Sequence, residues 1–265
     1  MARASAATRV RVGLTAVILA DQVAFLSRWS AYLSERMQAN VTFTARESYQ
    51  EILDLLFGNQ LEAAWICGYP YVQQRERVDL LAVPIYQGQP LYRSYLIRPN
   101  AGVDRIGGWK DLRGRVLAYS DPLSNSGWLV PQAQLRAAGV APSELRRGFF
   151  AHGHRNVAEA VAARLADAGC IDGYVWDTML RQKMPAAGRT EVVWRSDLYG
   201  FPPLVVRKDT PGEVTEALRR SLLAMTQDAE GRSLLDSLNL DGFAEEPSSI
   251  FASIERLSLE QDRLG

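Results

Sequence analysis

Four consecutive residues, Ser124-Asn125-Ser126-Gly127, have the composition of a site for a small anion. A strand-like stretch, Arg115 to Tyr119, leads into them, and a helical pattern follows with Pro131 in or near its first turn, Leu135 further along and Gly139 at its close. The first turn of a helix carries backbone N–H groups without partners inside the helix, at the positive end of its dipole. Two hydroxyls and a carboxamide beside such groups form a neutral cage for an oxyanion. Ser124 and Ser126 also suit a plainer role, because serine is a preferred N-cap.

Other residues that could do chemistry are few. The chain has two cysteines, Cys67 and Cys170, and two histidines, His152 and His154. Cys67 lies in Trp65-Ile-Cys-Gly-Tyr-Pro-Tyr71, where a free cysteine fits as a small buried hydrophobe. Nothing local says that the two cysteines meet. There is no Gly-x-Ser-x-Gly elbow, no Cys/His pair at metal spacing and no Gly-rich phosphate loop with Lys-Ser/Thr. The sequence therefore points to a binding protein without cofactor or metal. The enzymatic alternative needs Cys67 as nucleophile and His154 as its base.

The elements that must position these residues alternate between strand and helix. Val10 to Val17 reads as a first strand, and Gln22 to Met37 as a helix with Val23, Leu26, Trp29 and Leu33 at helical spacing. Val41 to Thr44 alternates as a strand. Ser48-Tyr-Gln-Glu51 is a capping box opening a helix that Gly58 ends. Leu61 to Cys67, Leu80 to Tyr86 and Tyr92 to Ile97 read as strands, and Asn156 to Ala168 as an amphipathic helix with Leu165 on its buried face. Cys170 to Trp176, Glu191 to Trp194 and Leu204 to Arg207 are further strands. Thr210-Pro-Gly-Glu213 reads as a second capping box for a helix through Met225, and Ile250 to Leu257 as a last helix. Strands separated by helices imply an α/β protein with a parallel, doubly wound sheet, whose ligands bind beyond the carboxyl ends of strands. Tyr49, Cys67, Ser124 to Ser126, His152 and His154 all fall at such ends.

Composition excludes several classes. Lys+Arg and Asp+Glu balance at 30 each over 265 residues, which leaves no electrostatic footprint for nucleic acid. A neutral protein that holds an anion must do so with a local site. No apolar run reaches the ~20 residues that span a bilayer. Met1 to Arg11 carries three arginines, but the apolar run Val12 to Ala20 is short for a signal peptide. The expectation is a periplasmic protein whose export signal has been removed from this chain, with a cytoplasmic one as the alternative.

The chain resembles the substrate-binding proteins of phosphonate, phosphite and phosphate ABC transporters, which have the type II periplasmic-binding fold. The resemblance runs through Tyr49 to Leu53, Leu61 to Tyr71, Asp121 to Pro131, His154 to Asp167 and Trp194 to Asp209, and the Asp-Pro…Ser-x-Ser-Gly…Pro segment is its most specific part. It implies two lobes, each a mostly parallel sheet flanked by helices, joined by a two-strand hinge. Lobe one would hold 9–90 and 203–245 and lobe two 96–196, with 246–265 a C-terminal helix packing on a lobe. The crossings would lie near Gln87–Tyr95 and Ser196–Pro203.

Carried over by position, Tyr49 and Tyr92 offer phenolic hydroxyls, Ser124, Asn125 and Ser126 hold the anion at a helix N-terminus, and His154 adds a donor. The family's usual middle residue in the Ser-x-Ser triplet is Thr, and here it is Asn125. The acidic residues that grip an aminoalkyl phosphonate are replaced by Tyr174 and Pro202, so a ligand without an amine fits better. The resemblance implies a monomer that delivers its ligand to a membrane permease. It leaves two alternatives: a sensor signalling to a kinase that binds a thiophilic oxyanion such as arsenite through Cys67, with Cys170 as a lesser candidate, and a pyrimidine-synthase-like enzyme.

Overall fold

The computed structural model describes residues 8–15, 23–101 and 106–263. The chain begins with β1 (Arg9–Leu14), α1 (Val23–Met37), β2 (Asn40–Ala45), α2 (Tyr49–Phe57), β3 (Ala63–Trp65), α3 (Gly68–Gln74), β4 (Val78–Ile85) and the short β5 (Leu91–Tyr92). It then crosses to β6 (Ser94–Pro99), β7 (Val116–Tyr119), α4 (Val130–Ala137), β8 (Arg147–Phe150), α5 (His154–Ala162) and β9 (Ala168–Asp172). That group closes with α6 (Gly173–Arg181), α7 (Pro185–Gly188) and β10 (Thr190–Arg195). The return runs through β11 (Tyr199–Gly200), β12 (Leu204–Arg207), α8 (Gly212–Leu223), α9 (Ala229–Leu238), β13 (Gly242–Ala244) and α10 (Ala252–Asp262).

Two sheets result, each the floor of a lobe. One has the order β13-β4-β12-β3-β1-β2 and the other β10-β6-β9-β7-β8. In the first, β1 runs parallel to β2 and β3, while β12 inserts antiparallel between β3 and β4. In the second, β7 runs parallel to β8 and β9, and β6 and β10 add antiparallel strands on the other side. The hinge is the antiparallel pair β5–β11, with Tyr199 opposite Tyr92. The alternation along β1 turns Val10, Val12 and Leu14 inward, and β3 is buried on both faces as a central strand must be. Trp29 of α1 stacks on Phe43 at 4.6 Å and meets Trp65 edge-on at 6.3 Å, which ties helix to sheet.

The capping box of α2 forms as read: Ser48 accepts from the Glu51 N–H, and the Glu51 carboxylate accepts from the Ser48 N–H. Other readings shift. The helix opening at His154 ends at Ala162, because Arg164 turns left-handed (φ 59), and Leu165 is 70 % exposed instead of buried. The strand read as Cys170 to Trp176 stops at Asp172, whose side chain accepts from the Val175 N–H and so caps α6. Tyr174 and Trp176 therefore sit on a helix. Tyr92 to Ile97 splits between hinge and second sheet. Thr210 caps nothing; its hydroxyl donates to the Glu62 carbonyl, and α8 starts at Gly212 behind Pro211. Residues 16, 17 and 22, read as strand end and helix start, lie outside the described residues. The C-terminal helix, expected on one lobe, packs against α3 of the first and also α4 of the second.

The early end of α5 yields a contrast. Leu165→Gln is expected to change unfolding free energy by less than ~0.5 kcal/mol, whereas Val161→Ala, at a fully buried position, should cost roughly 2 kcal/mol in chemical denaturation.

Candidate functional site

The anion-like turn begins at Ser124, five residues past the end of β7. Ser124 is the N-cap: its Oγ accepts from the Gly127 N–H at 2.9 Å, so this serine plays the plain capping role. The first turn, Asn125–Leu129, is wound wider than an α-helix, with the Val130 N–H donating to the Asn125 carbonyl. Proline at 131 has no N–H, so the next carbonyl in that series, Ser126 O, would lack a donor. Ser94 Oγ on β6 supplies it at 2.6 Å. Gly127 is needed for contact: a Cβ there would lie 1.8 Å from Ser120 Oγ.

The structure gathers most of the sequence-predicted residues around this turn. Tyr49, the first residue of α2, donates its N–H to Asp121 Oδ2 at 3.3 Å across the seam between the lobes. Cys67, two residues past β3 and just before α3, accepts on Sγ the Asn125 N–H at 3.2 Å. From the hinge, the Tyr92 hydroxyl accepts from Asn125 Nδ2 at 3.1 Å. His154 opens α5 behind Gly153, whose φ of 142 suits only glycine, and the Gly153 N–H donates to the Ser120 carbonyl at 3.1 Å. Tyr49, Cys67, Tyr92, Ser124, Asn125, Ser126 and His154 are each exposed by 2 % or less.

Tyr174 does not join them with its hydroxyl. That group donates to the Leu238 carbonyl on α9, and the ring packs edge-on against Tyr86 and Phe201. Cys170 belongs to a separate apolar cluster with Leu96, Leu117 and Leu135, and both cysteines are free thiols. His152 is a turn residue with φ 55. Sequence reasoning missed Ser94, Ser120 and Asp172. Asp172 was the most findable, since Asp before Gly173 and an apolar pattern is an N-cap signal.

The polar atoms at this seam are unevenly satisfied. Tyr49 OH, Ser120 Oγ, Asn125 Oδ1, Ser126 Oγ and His154 Nε2 are buried without a well-formed hydrogen bond. Each such group costs about 1–3 kcal/mol, and proteins leave few of them. Turning the Asn125 amide over would let Tyr92 donate to Oδ1 and aim Nδ2 inward. The histidine needs no such choice. Its Nδ1 accepts the Asp172 N–H at 3.0 Å, so in the neutral ring Nε2 carries the hydrogen and is a donor.

Burial governs the ionisation of every group here. It pushes the Tyr49 and Tyr92 phenols up, the Cys67 thiol up to about 11 and the His154 imidazole down to about 3. The Asp172 carboxyl rises to about 8 by burial, opposed by the N–H groups of Val175 and Tyr174 and reinforced by Asp177. The site is thus built of neutral donors. The nucleophile–base pair is overturned by the same facts: His154 has its lone pair committed to Asp172, and Cys67 stays a thiol. Among the described residues no group of His, Cys, Asp and Glu is placed to hold a metal.

Two of these shifts make opposite contributions to stability. Asp172, raised in the folded state, stabilises fully below the ordinary carboxylate range, and that contribution is lost as pH rises through about 8. His154, lowered in the folded state, contributes fully above the ordinary imidazole value, and that is lost as pH falls toward about 3. They oppose each other between about pH 4 and 6.5, and above that Asp172 acts alone. Wild-type protein is expected to lose stability relative to Asp172→Asn from pH 6.5 to 8, by up to ~1.4 kcal/mol per unit, in denaturant titrations.

The comparisons with known proteins agree with this geometry. The family model described as "ABC transporter, phosphonate, periplasmic substrate-binding protein" matches residues 15–248. The chain is 27 % identical over 230 residues to the phosphate-import protein PhnD of Mycolicibacterium smegmatis, covering 80 % of this chain and 68 % of that one. It is 21 % identical over 248 residues to a probable ABC transporter phosphite-binding protein, PhnD1, of Prochlorococcus marinus, covering 89 % and 84 %. Among solved structures, a binding-protein component of an ABC phosphonate transporter from Pseudomonas aeruginosa superposes with a TM-score of 0.87 at 20 % identity, covering 97 % of this chain and 87 % of the other. The Prochlorococcus PhnD1 complex with methylphosphonate gives 0.83 at 20 % identity, covering 97 % and 99 %. The two-lobed fold with its β5–β11 hinge is that of type II periplasmic binding proteins, and the chain belongs to the family of periplasmic substrate-binding proteins of phosphonate ABC transporters.

Proposed function

We propose that this chain captures a small phosphorus oxyanion, such as phosphate, phosphite or a simple phosphonate, at the seam between its lobes and hands it to the permease of an ABC importer. The observation that carries the reading is the set of buried polar atoms without a well-formed hydrogen bond at three helix starts, among them Tyr49 OH, Ser126 Oγ and His154 Nε2. An oxyanion's acceptor oxygens answer such donors, and hydrogen bonds to a charged acceptor in a dry site are stronger than neutral ones. In this reading Ser124 donates its hydroxyl hydrogen while accepting from Gly127, and Asn125 offers its amide. Tyr92 anchors that amide from the hinge. Tyr174 is wall, not donor. The bodies that close on the ligand are 9–90 with 203–245 against 96–196, and the protein acts as a monomer in the periplasm.

No observation favours the thiophilic-oxyanion sensor or its kinase. Cys67 is a wholly buried acceptor for a backbone N–H, and its thiol is pushed up to about 11, far from the thiolate that soft-metal chemistry needs.

Calorimetry with phosphate, phosphite and methylphosphonate tests the ligand class. Tyr49→Phe and Ser126→Ala are expected to weaken binding by about ten- to a hundredfold, or ~1.4–2.8 kcal/mol, while thermal stability without ligand holds or rises, since each removes an unsatisfied buried group. The reading is lost if none of the anions binds, or if both variants bind as wild type does. Cys67→Ala should lower stability by roughly 1 kcal/mol and leave affinity within about threefold. Iodoacetamide should not label the wild-type thiol at neutral pH. Protection of a labelled Cys67 by arsenite would instead revive the sensor.

A further inference from the structure

The chain ends in a 3₁₀ turn, Ser248–Phe251, that runs into α10, and together these lie against both lobes and the hinge. Their root is buried against lobe one. The Phe251 ring packs on Tyr71 of α3 with ring centres 4.7 Å apart, and Phe251 and Ile254 are each exposed by 1 % or less. Two glycines make room for them. A Cβ on Gly68, the first residue of α3, would lie 2.6 Å from Ile254 Cδ1, and one on Gly200 of the hinge strand β11 would lie 2.8 Å from the Phe251 ring. Gly68 directly follows Cys67, whose sulfur takes the Asn125 N–H across the seam. Arg75 of lobe one adds a partly exposed ion pair to Glu255 at 2.8 Å.

Two helical turns beyond Ile254, the same face of α10 reaches lobe two. Ser258 is buried on that face, and at its end the Gln261 carboxamide oxygen accepts from Arg136 Nη1 of α4 at 2.6 Å. The helix also touches the turn Asn125–Leu129 of the candidate site. The attachment is unequal: buried rings and aliphatic groups on lobe one and the hinge, an exposed polar tie on lobe two.

We propose that the C-terminal helix is a strap across the lobes: rooted by Phe251 and Ile254, it grips lobe two through Gln261 on Arg136 and so sets how far the cleft stands open and how tightly it binds. The affinity part rests on the oxyanion reading above. The grip belongs to the arrangement in which Asn125 reaches Cys67. Rotation of lobe two about β5–β11 carries α4 away from a helix fixed to lobe one, and the tie is lost together with the bonds at the seam. A contact made only when the lobes meet favours that arrangement, and apparent affinity scales with the population of the binding-competent form.

The test changes the charge at Gln261, on an exposed tie. Gln261→Lys sets a like charge against Arg136, and Gln261→Glu makes an ion pair. Interlobe distances are read on the intact, ligand-free chain by spin labels at Gln60→Cys and Ser143→Cys, exposed positions ahead of β3 and β8; the native cysteines are buried. Gln261→Lys should lengthen the distance and weaken phosphate and methylphosphonate binding about two- to fivefold in calorimetry at low salt. Gln261→Glu should shorten the distance and tighten binding by a similar factor, and both effects should fade in high salt. Arg136→Glu combined with Gln261→Lys should restore wild-type distance and affinity. A helix end with no role between the lobes gives a different order: lysine suits a helix C-terminus and glutamate opposes it, so melting temperature would move while the distance stayed fixed. Unchanged distances in both single variants overturn the inference, as do shifts in the same direction or a double variant that fails to restore. Should neither anion bind wild-type protein, the oxyanion reading falls, while the distances still decide the strap.

Discussion

On the proposed reading, burying polar groups between two bodies that must separate again is the constraint on which this structure depends. A hydroxyl or amide within a lobe can be satisfied once and left alone. One at the seam must tolerate water when the lobes part and a ligand when they meet. The turn at Ser124 meets that demand with backbone geometry. Proline at 131 withholds a hydrogen-bond donor, the first turn widens, and the freed Ser126 carbonyl is taken by Ser94 from the second sheet. The serine is thereby pinned by its backbone, while its hydroxyl stays available. The helix start is rigid where it is anchored and unsatisfied where it faces the seam.

Among the described residues, the side chains hydrogen-bonded to the turn are neutral, which has consequences of its own. A lysine or arginine in the cleft would bind an oxyanion more strongly, but in a closing seam it would be an unpaired buried charge whenever ligand was absent. Neutral donors cost less to bury and keep the lobes free to approach. Burial also holds the tyrosines, the thiol and the histidine in their neutral forms across the physiological range. On the proposed reading, selectivity comes from hydrogen-bond count and shape.

Much of this was legible in the sequence where a local rule decides structure. The capping box at Ser48, the central strand around Ala63 to Trp65 and the helix start at Ser124 each follow from short-range chemistry. What failed had tertiary causes. Leu165 continued the helical spacing, but the chain had to turn at Arg164 to bring Ala168 back into the sheet beside Leu117. Cys170 to Trp176 is apolar apart from Asp172 and Gly173, and reading it as one strand passes over the N-cap signal that this Asp-Gly pair carries. Tyr174 matched the position of a ligand-gripping residue by alignment alone, whereas its hydroxyl is drawn off by a carbonyl of the other lobe. Ser94 and Ser120 carried no motif; only the fold brings them to the turn.

Besides the C-terminal helix, which touches both lobes, two sets of hydrogen bonds join them. At the cleft are the N–H of Tyr49 on Asp121 and the N–H of Asn125 on Cys67, the first weakened by its length and the second by its sulfur acceptor. Nearer the hinge are Tyr86 on Asp177, Tyr174 on Leu238, and Arg181 on Asp236, the last exposed and worth little. Each net contribution is about 1 kcal/mol, set against the unsatisfied hydroxyls at the cleft, which favour opening by a similar amount each. Opening of the lobes trades these bonds against relief of the unsatisfied hydroxyls, which sets up an equilibrium. A ligand that satisfies several of those hydroxyls at once supplies the several kcal/mol needed to move such an equilibrium decisively toward the closed form.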